Sequence, residues 1–324
     1  KGNLVYAICM AQDTALWIGT SAKGVFKYKN NEFTHFTSDL GFIDEKVKSI
    51  FCDNKGNIWF GTEGAGLLIF DGNDFIHYNK KKGLSSNWIK DIQQDNKGNV
   101  WLATAGQGLM RVNFINDKIK IDKYLPRDGF PERINCLLID NDTIWIGTDG
   151  SGLYFLNNNK LKKVSENPSH IKSIKKHQSG IILASDEGLF SYKNNKIWDI
   201  GKKSFLSTRN IYLTEVTDNV VWAGTDKGLY KIFMNDTTES FYSKLYSREE
   251  GFIGIEACQN ASHVDIFGNI WFGTINGLTR LNKNEQIQIS KPEIYIKDVN
   301  LFYKSLSETK YKDSISLYRK PFGF

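Results

Sequence analysis

One short phrase recurs seven times along the chain. LWIGT around Trp17, IWFGT around Trp59, VWLAT around Trp101, IWIGT around Trp145, VWAGT around Trp222 and IWFGT around Trp271 each join an apolar, β-prone run to a small residue and a threonine. A weaker copy, IILAS, has Ile182 in the tryptophan's place. The copies return at intervals of roughly 40 residues, and a period of that length decides the architecture before any local motif does. Only Trp88 and Trp198 stand outside the pattern.

The surroundings repeat with the phrase. Upstream lies an apolar stretch such as Val47–Asp53 or Ile89–Asp95, followed by turn residues such as Asp53 and Gly56. Asp and Asn favour turns because their side chains bond nearby backbone, and Gly supplies positive φ without steric cost. Downstream, glycines before an apolar pair (Gly24, Gly66, Gly108, Gly152, Gly188, Gly228 and Gly277) open a third strand, and NEFTHFT (31–37) or NDFIHYN (73–79) reads as a fourth. Four short strands in roughly 40 residues describe a propeller blade. A blade cannot bury both faces alone, so its neighbours must stack on it, with the tryptophans filling the layers between them. Seven blades close a ring and protect most strand edges.

The predicted fold is therefore all-β: a seven-bladed β-propeller of four-stranded blades over residues 1–290, with a truncated β segment at the C-terminus. Blade one begins at Val5, blade five is the degenerate one, and blade seven ends near Ile289. At Pro292 the pattern changes to the alternating run EIYIKDVNLF. Residues 291–324 are too few to form a core unaided and read as the incomplete beginning of another β domain.

Bulk properties exclude some function classes. The net charge is +6 with lysines scattered along the chain, so no organised basic face argues for nucleic acid. Cys9, Cys52, Cys136 and Cys258 all fall in or near apolar first-strand segments; no CxxC occurs, and buried free thiols are expected for all four. No apolar run is long enough to span a membrane, and no signal peptide is present. The chain begins without Met and reads as a piece of a longer protein, with any export signal and membrane segment outside it.

The motifs that might carry chemistry resolve into repeat furniture. GTEGAG (61–66) lacks the Lys-Ser/Thr of a phosphate loop and is followed by a strand. His35 and His77 occupy equivalent fourth-strand positions, there is no HExxH, and no GxSxG elbow occurs. Asp53, Asp95, Asp140, Asp218 and Asp265 precede the second strand and are read as turn initiators, since calcium-loop spacing is absent. No catalytic residue, metal ligand or cofactor is assigned.

What varies between repeats is more informative. In a propeller, the loops joining blades and those between second and third strands share one face, and loops on a rigid scaffold carry function. That face is predicted to hold Glu45, Lys46, Trp88, Glu132, Arg133, Arg209, Asn210, Glu256 and Asn260, with Glu63, Asp149, Asp226 and Asn276 from the second set of loops. The candidate ligand-binding residues are Trp88, Glu132, Arg133, Arg209, Asn210, Glu256, Asn260 and Asp149. An aromatic platform beside planar polar groups suits a sugar ring, although Trp88 equally fits packing on its neighbouring blade.

The phrase D-x-x-G-x-[IVL]-W-[IFL]-[GA]-T-x-x-x-G-L, seen at Asp53–Leu67 and Asp95–Leu109, resembles the two-component-regulator propeller repeat. Residues 249–282 resemble the last blade of such propellers. KPEIYIKDVNLFYKS (291–305) resembles the start of the three-tyrosine, immunoglobulin-like domain that follows them. The resemblance implies the periplasmic sensor region of a membrane-bound histidine kinase, often of the hybrid type, which in Bacteroidetes senses glycan fragments and switches on polysaccharide-utilisation genes. It also implies a second propeller and an immunoglobulin-like domain in the same chain as neighbours, a homodimer as the signalling form, membrane attachment through absent segments, and no catalysis in this piece. Two other readings stay open. One is an enzyme resembling the seven-bladed streptogramin lyases, with Glu132, Asp149 and Glu256 meeting at the channel; the other is a purely structural or protein-binding propeller.

Overall fold

Turn chemistry and strand alternation produce the blades as the sequence requires. A computed structural model describes residues 4–43, 46–115, 118–178, 180–235, 240–252, 254, 256–283, 300–301 and 304–305. Six blades are four-stranded antiparallel meanders with strands in chain order. The seventh has three strands among the described residues: Ala257–Val264, Ile270–Thr274 and Gly277–Leu281. Its expected fourth strand, up to Ile289, falls outside them.

The innermost strands, in blade order, are Val5–Met10, Val47–Cys52, Ile89–Gln94, Ile134–Asp140, Ile171–His177, Ile211–Thr217 and Ala257–Val264. Each lies beside the innermost strands of its two neighbours, and the last lies against the first, so the ring closes. An apolar layer fills every one of the seven seams. Trp17 packs with Phe60 between blades one and two, and Trp59 with Leu102 between two and three. Trp101 packs with Ile146 between three and four, and Trp222 with Phe272 between six and seven. Trp271 meets Val5, Ile8, Leu16 and Ile18 at the seam that shuts the ring. In blade five Ile182 takes the indole's place against Ile211 and Val221, and Trp145 is half-buried beside Ile181 and Leu183.

The polar residues of the repeat are consumed in holding these strands. Asp53 Oδ1 accepts the Lys55 and Asn57 amides at 2.9 and 2.8 Å, while Oδ2 accepts the Trp59 indole N–H at 2.9 Å. Asp95 with Trp101 and Asp265 with Trp271 repeat the arrangement, each at 2.9 Å. At the other end of the second strand, Thr20, Thr62, Thr104, Thr148, Ser185, Thr225 and Thr274 each donate to the carbonyl of the next repeat glycine at 2.7–3.0 Å. His35 and His77 bond the Lys23 and Ala65 carbonyls, both at 2.7 Å, from equivalent places in blades one and two.

The cysteine expectation needs one correction. Cys136 and Cys258 are buried free thiols. Burial raises Cys136, and burial with the nearby Glu256 pushes Cys258 up to about 12. Cys9 and Cys52, however, pair as a disulfide between the innermost strands of blades one and two, with Cα atoms 6.4 Å apart. Their positions differ by one strand residue between repeats, a phase that sequence alone does not convert into distance.

The chain divides into two units, 1–283 and 284–324. In the second, Asn300–Leu301 pairs antiparallel with Lys304–Ser305. The rest of the predicted immunoglobulin-like segment, 291–324, lies outside the described residues.

Candidate functional site

Backbone bonds lace one face of the ring. Glu63 and Gly64 amides reach the Lys46 and Asn87 carbonyls at 3.0 and 3.1 Å, and Ala105 and Gly106 reach Trp88 and Glu132 at 3.2 and 3.1 Å. Asp149 donates to Arg133 at 3.0 Å and Ile275 to Glu256 at 3.0 Å. The interblade connections and the loops between second and third strands thus share a face. Of the residues predicted there, Glu45 lies outside the described residues.

The side chains of the candidate residues have separate fates. Trp88 is 46% exposed beside Glu63, with which it forms a β-bridge. It does not disappear into a neighbouring blade. Arg133 reaches Asp149 at 3.5 Å, and Glu132 is exposed. Arg209 is spent on Asp199 at 2.7 Å and on the Phe190 ring. Asn210 accepts from Lys172 and donates to the Tyr212 hydroxyl at 2.8 Å. Glu256 accepts from that same hydroxyl and, with burial, raises its pKa. Asn260 adopts φ 55° and accepts from Ser173 Oγ at 3.1 Å, reaching past blade six to blade five. Asn210, Glu256 and Asn260 are therefore tied to residues of the innermost strands, whereas Arg209 stays exposed beside Asp199. The carboxylates on which an enzyme would depend are not assembled: Asp149 faces Arg133 and His170, and Glu256 faces Tyr212.

A feature of the innermost strands adds residues that the sequence reading missed. In six blades the pairing of first and second strands skips one position, between Val5 and Ala7, Val47 and Ser49, Ile89 and Asp91, Ile134 and Cys136, Ile171 and Ser173, and Ile211 and Leu213. A bulge leaves the extra residue unpaired and re-aims its side chain. The skipped residues are Tyr6, Lys48, Lys90, Asn135, Lys172 and Tyr212. Blade seven has a longer bulge, between Ala257 and Ser262, that includes Asn260. Each skipped residue in the six blades sits between buried neighbours at the same level of the strand nearest the axis, and all but Asn135 keep partial solvent access. The bulges therefore bring Tyr6, Lys48, Lys90, Lys172 and Tyr212 round the mouth of the central channel, while Asn135 is buried and donates to the Ile171 carbonyl at 3.1 Å. In six of the seven first strands a polar or aromatic residue stands at position two, but composition alone does not say which way it points.

Contacts between blades join these side chains. Lys48 Nζ lies 3.7 Å from the centre of the Tyr6 ring and 3.0 Å from Glu63. Lys172 Nζ lies 4.7 Å from the Tyr212 ring. Burial, then the Lys48 charge, lowers the pKa of Lys90; burial lowers that of Lys172 against the pull of Asp186 and Asp149. Deeper in the ring, Lys175 pairs with buried Glu215 at 2.8 Å.

Two other places offer ligand atoms. His170, Asp186 and Glu187 lie within 4.8 Å of one another, but Ser169 already bonds His170 Nδ1 and Glu187 Oε1 at 2.9 and 2.7 Å. On the opposite face, Met10, Cys52, Gln94 and the exposed Ile266 line a hollow of about 570 Å³. None of its residues was predicted as a site.

Comparison with known proteins fixes the repeat. The two-component regulator propeller family matches residues 41–64 and 83–106, which include Lys48, Lys90 and Trp88. The chain carries two-component regulator propeller repeats. Its fold is similar to the extracellular domain of a hybrid two-component system from B. thetaiotaomicron, at 21% identity and TM-score 0.77 over 94% of this chain and 44% of that one. The chain thus spans less than half of that domain's length. It is also similar to PorZ, a surface component of the type-IX secretion system of Porphyromonas gingivalis, at 15% identity and TM-score 0.67, covering 93% of this chain and 50% of that one. A catalytically inactive virginiamycin B lyase from Staphylococcus aureus, solved with quinupristin, gives 13% identity and TM-score 0.64, covering 86% and 94% of the two chains. At these identities the likeness is one of fold. No curated protein matches the sequence.

Proposed function

We propose that this propeller is the extracytoplasmic sensor module of a membrane-bound two-component histidine kinase, without catalysis of its own. It binds a glycan fragment, or relays one bound by a neighbouring propeller, to control polysaccharide-utilisation genes. The observation that carries the reading is the family repeat itself, matched at 41–64 and 83–106. The loop face agrees with it, since Trp88 presents an open ring there. The Cys9–Cys52 pair suits an oxidising compartment such as the periplasm. Among the described residues no helix is long and apolar enough to cross a membrane, so attachment runs through other segments of the protein. A second propeller and an immunoglobulin-like domain of the same chain, and a second copy of the protein, are the partners through which ligand would favour one arrangement over another.

Thermal unfolding against a panel of neutral and acidic oligosaccharides tests this. A ligand that binds only the folded state raises Tm by mass action, by about 2.7 kcal/mol of stability at a hundredfold excess over Kd. A rise for one glycan class that Trp88→Ala abolishes is the expected result. No rise for any glycan, in this chain or in the chain that includes its neighbouring domains, would defeat the reading.

A further inference from the structure

The bulge ring carries a charge that the fold does not balance. Of the six bulge side chains, three are lysines. Lys48 has its carboxylate, Glu63, at 3.0 Å. Among the described residues no carboxylate lies within ion-pair distance of Lys90 or Lys172. The acidic groups nearby face other partners: Glu63 faces Lys48, Asp149 Arg133, Asp186 His170 at 3.8 Å, and Glu256 Tyr212. Holding an ammonium half-buried without an ion-pair partner is unfavourable: burial lowers the pKa of both lysines although Asp149 and Glu63 pull Lys90, and Asp186 and Asp149 pull Lys172, the other way. The same position in blade four is an asparagine and in blades one and six a tyrosine, so the fold does not require lysine there. The bulges put Lys90 and Lys172 at the same level of the innermost strands of blades three and five. Asn260 of blade seven crosses to Ser173, the residue after Lys172.

We propose that this mouth binds the anionic group of an acidic oligosaccharide, a carboxylate or a sulfate ester, between Lys90 and Lys172, with Tyr6 and Tyr212 against the apolar face of the sugar. This rests on the glycan-sensor reading and names its ligand class. An anion supplies what the site lacks, because charge-assisted hydrogen bonds to an ammonium are strong where water is partly excluded. The rings beside the ammoniums offer stacking surface, and the Tyr212 hydroxyl and the Asn210 amide are already oriented by their mutual bond at 2.8 Å.

Calorimetric titration of this chain with trigalacturonate, with a sulfated chondroitin disaccharide and with neutral cellotriose decides it. Saturable binding of at least one acidic probe is expected, weakening with added salt. It should fall at least tenfold in Lys90→Met and in Lys172→Met, and stay unchanged in Lys97→Met on the opposite face. The two acidic arms separate carboxylate from sulfate. Binding of cellotriose as tightly as either acidic probe, or acidic binding that survives both lysine substitutions, overturns the inference while leaving the sensor reading intact. No binding of any of the three probes overturns it as well; a sensor reading would then depend on the neighbouring propeller.

Discussion

A proton on His263 would break the bond in which its Nε2 accepts the Met10 amide at 3.2 Å across the closing seam. Burial, helped by the Lys175 charge, lowers His263 to about 4. Asp91 has the opposite displacement. Burial raises it to about 6, although it accepts the Leu137 and Ile92 amides at 2.8 Å each. The signs differ accordingly. The depressed histidine contributes stability that is present above its unfolded value near 6.5 and lost as pH falls through about 4. The raised aspartate contributes stability present below about 3.9 and lost as pH rises through about 6. Between pH 4 and 6.5 the two oppose each other. His263→Gln, which keeps an acceptor for the amide, should leave the Asp91 slope exposed, so stability falls by on the order of 2–3 kcal/mol from pH 4 to 6.5. Asp91→Asn should give the reverse slope. Urea midpoints across that range measure both, and variants that both keep the parent's profile would show that neither residue titrates as the geometry implies.

A blade depends on how closely its second strand meets the next blade. Gly61 is the penultimate residue of the second strand of blade two (Ile58–Thr62), and a Cβ there would lie 2.2 Å from Ser49 Oγ of the same blade and 2.7 Å from Cγ2 of Ile89, the first residue of blade three's inner strand. Gly61→Ala should therefore push Ile89 and disturb the bulge that presents Lys90, at about 1–3 kcal/mol by urea denaturation. Ala103, the equivalent residue of blade three, is already accommodated, and Ala103→Gly should cost less, about 0.5–1 kcal/mol. Equal losses from the two changes would mean that the contact is not what selects glycine. This scale also shows where the sequence was legible. Period, turn residues and strand alternation are local, so blade number, strand order and the shared loop face followed from them. Of the aspartates read as turn initiators, Asp53, Asp95 and Asp265 accept turn amides, whereas Asp140 pairs with Lys176; the bond from Asp53 to an indole six residues on required the finished hairpin. The bulge ring was invisible for a different reason. A skipped pairing flips a side chain towards the axis without altering composition, so Lys48, Lys90 and Lys172 looked like ordinary strand lysines. Arg209, a candidate from its loop position, pairs with Asp199, a contact that no local pattern announces.

In the whole ring, blade one is held on both sides by different means. Trp271 and the His263–Met10 bond secure it to blade seven, and Cys9–Cys52 secures it covalently to blade two. A cross-link spanning 43 residues restricts the unfolded chain and stabilises the fold by about 4 kcal/mol in the chain-entropy picture. For a unit of this size that corresponds to a fall in Tm on the order of 5–10 °C when the bond is reduced. Chain purified from an oxidising compartment should show two thiols reactive to maleimide in denaturant without reductant, Cys136 and Cys258, and four after reduction. In the native state neither free thiol should react quickly, because burial holds both thiols protonated. Cys9→Ala with Cys52→Ala should reproduce the lowered Tm and abolish its dependence on reductant. Four reactive thiols before reduction, or a Tm that reductant does not move, would remove the covalent link. Blade one would then rest on its two apolar seams and on the hydrogen bonds that cross them, and the argument from the disulfide for an oxidising location would go with the link.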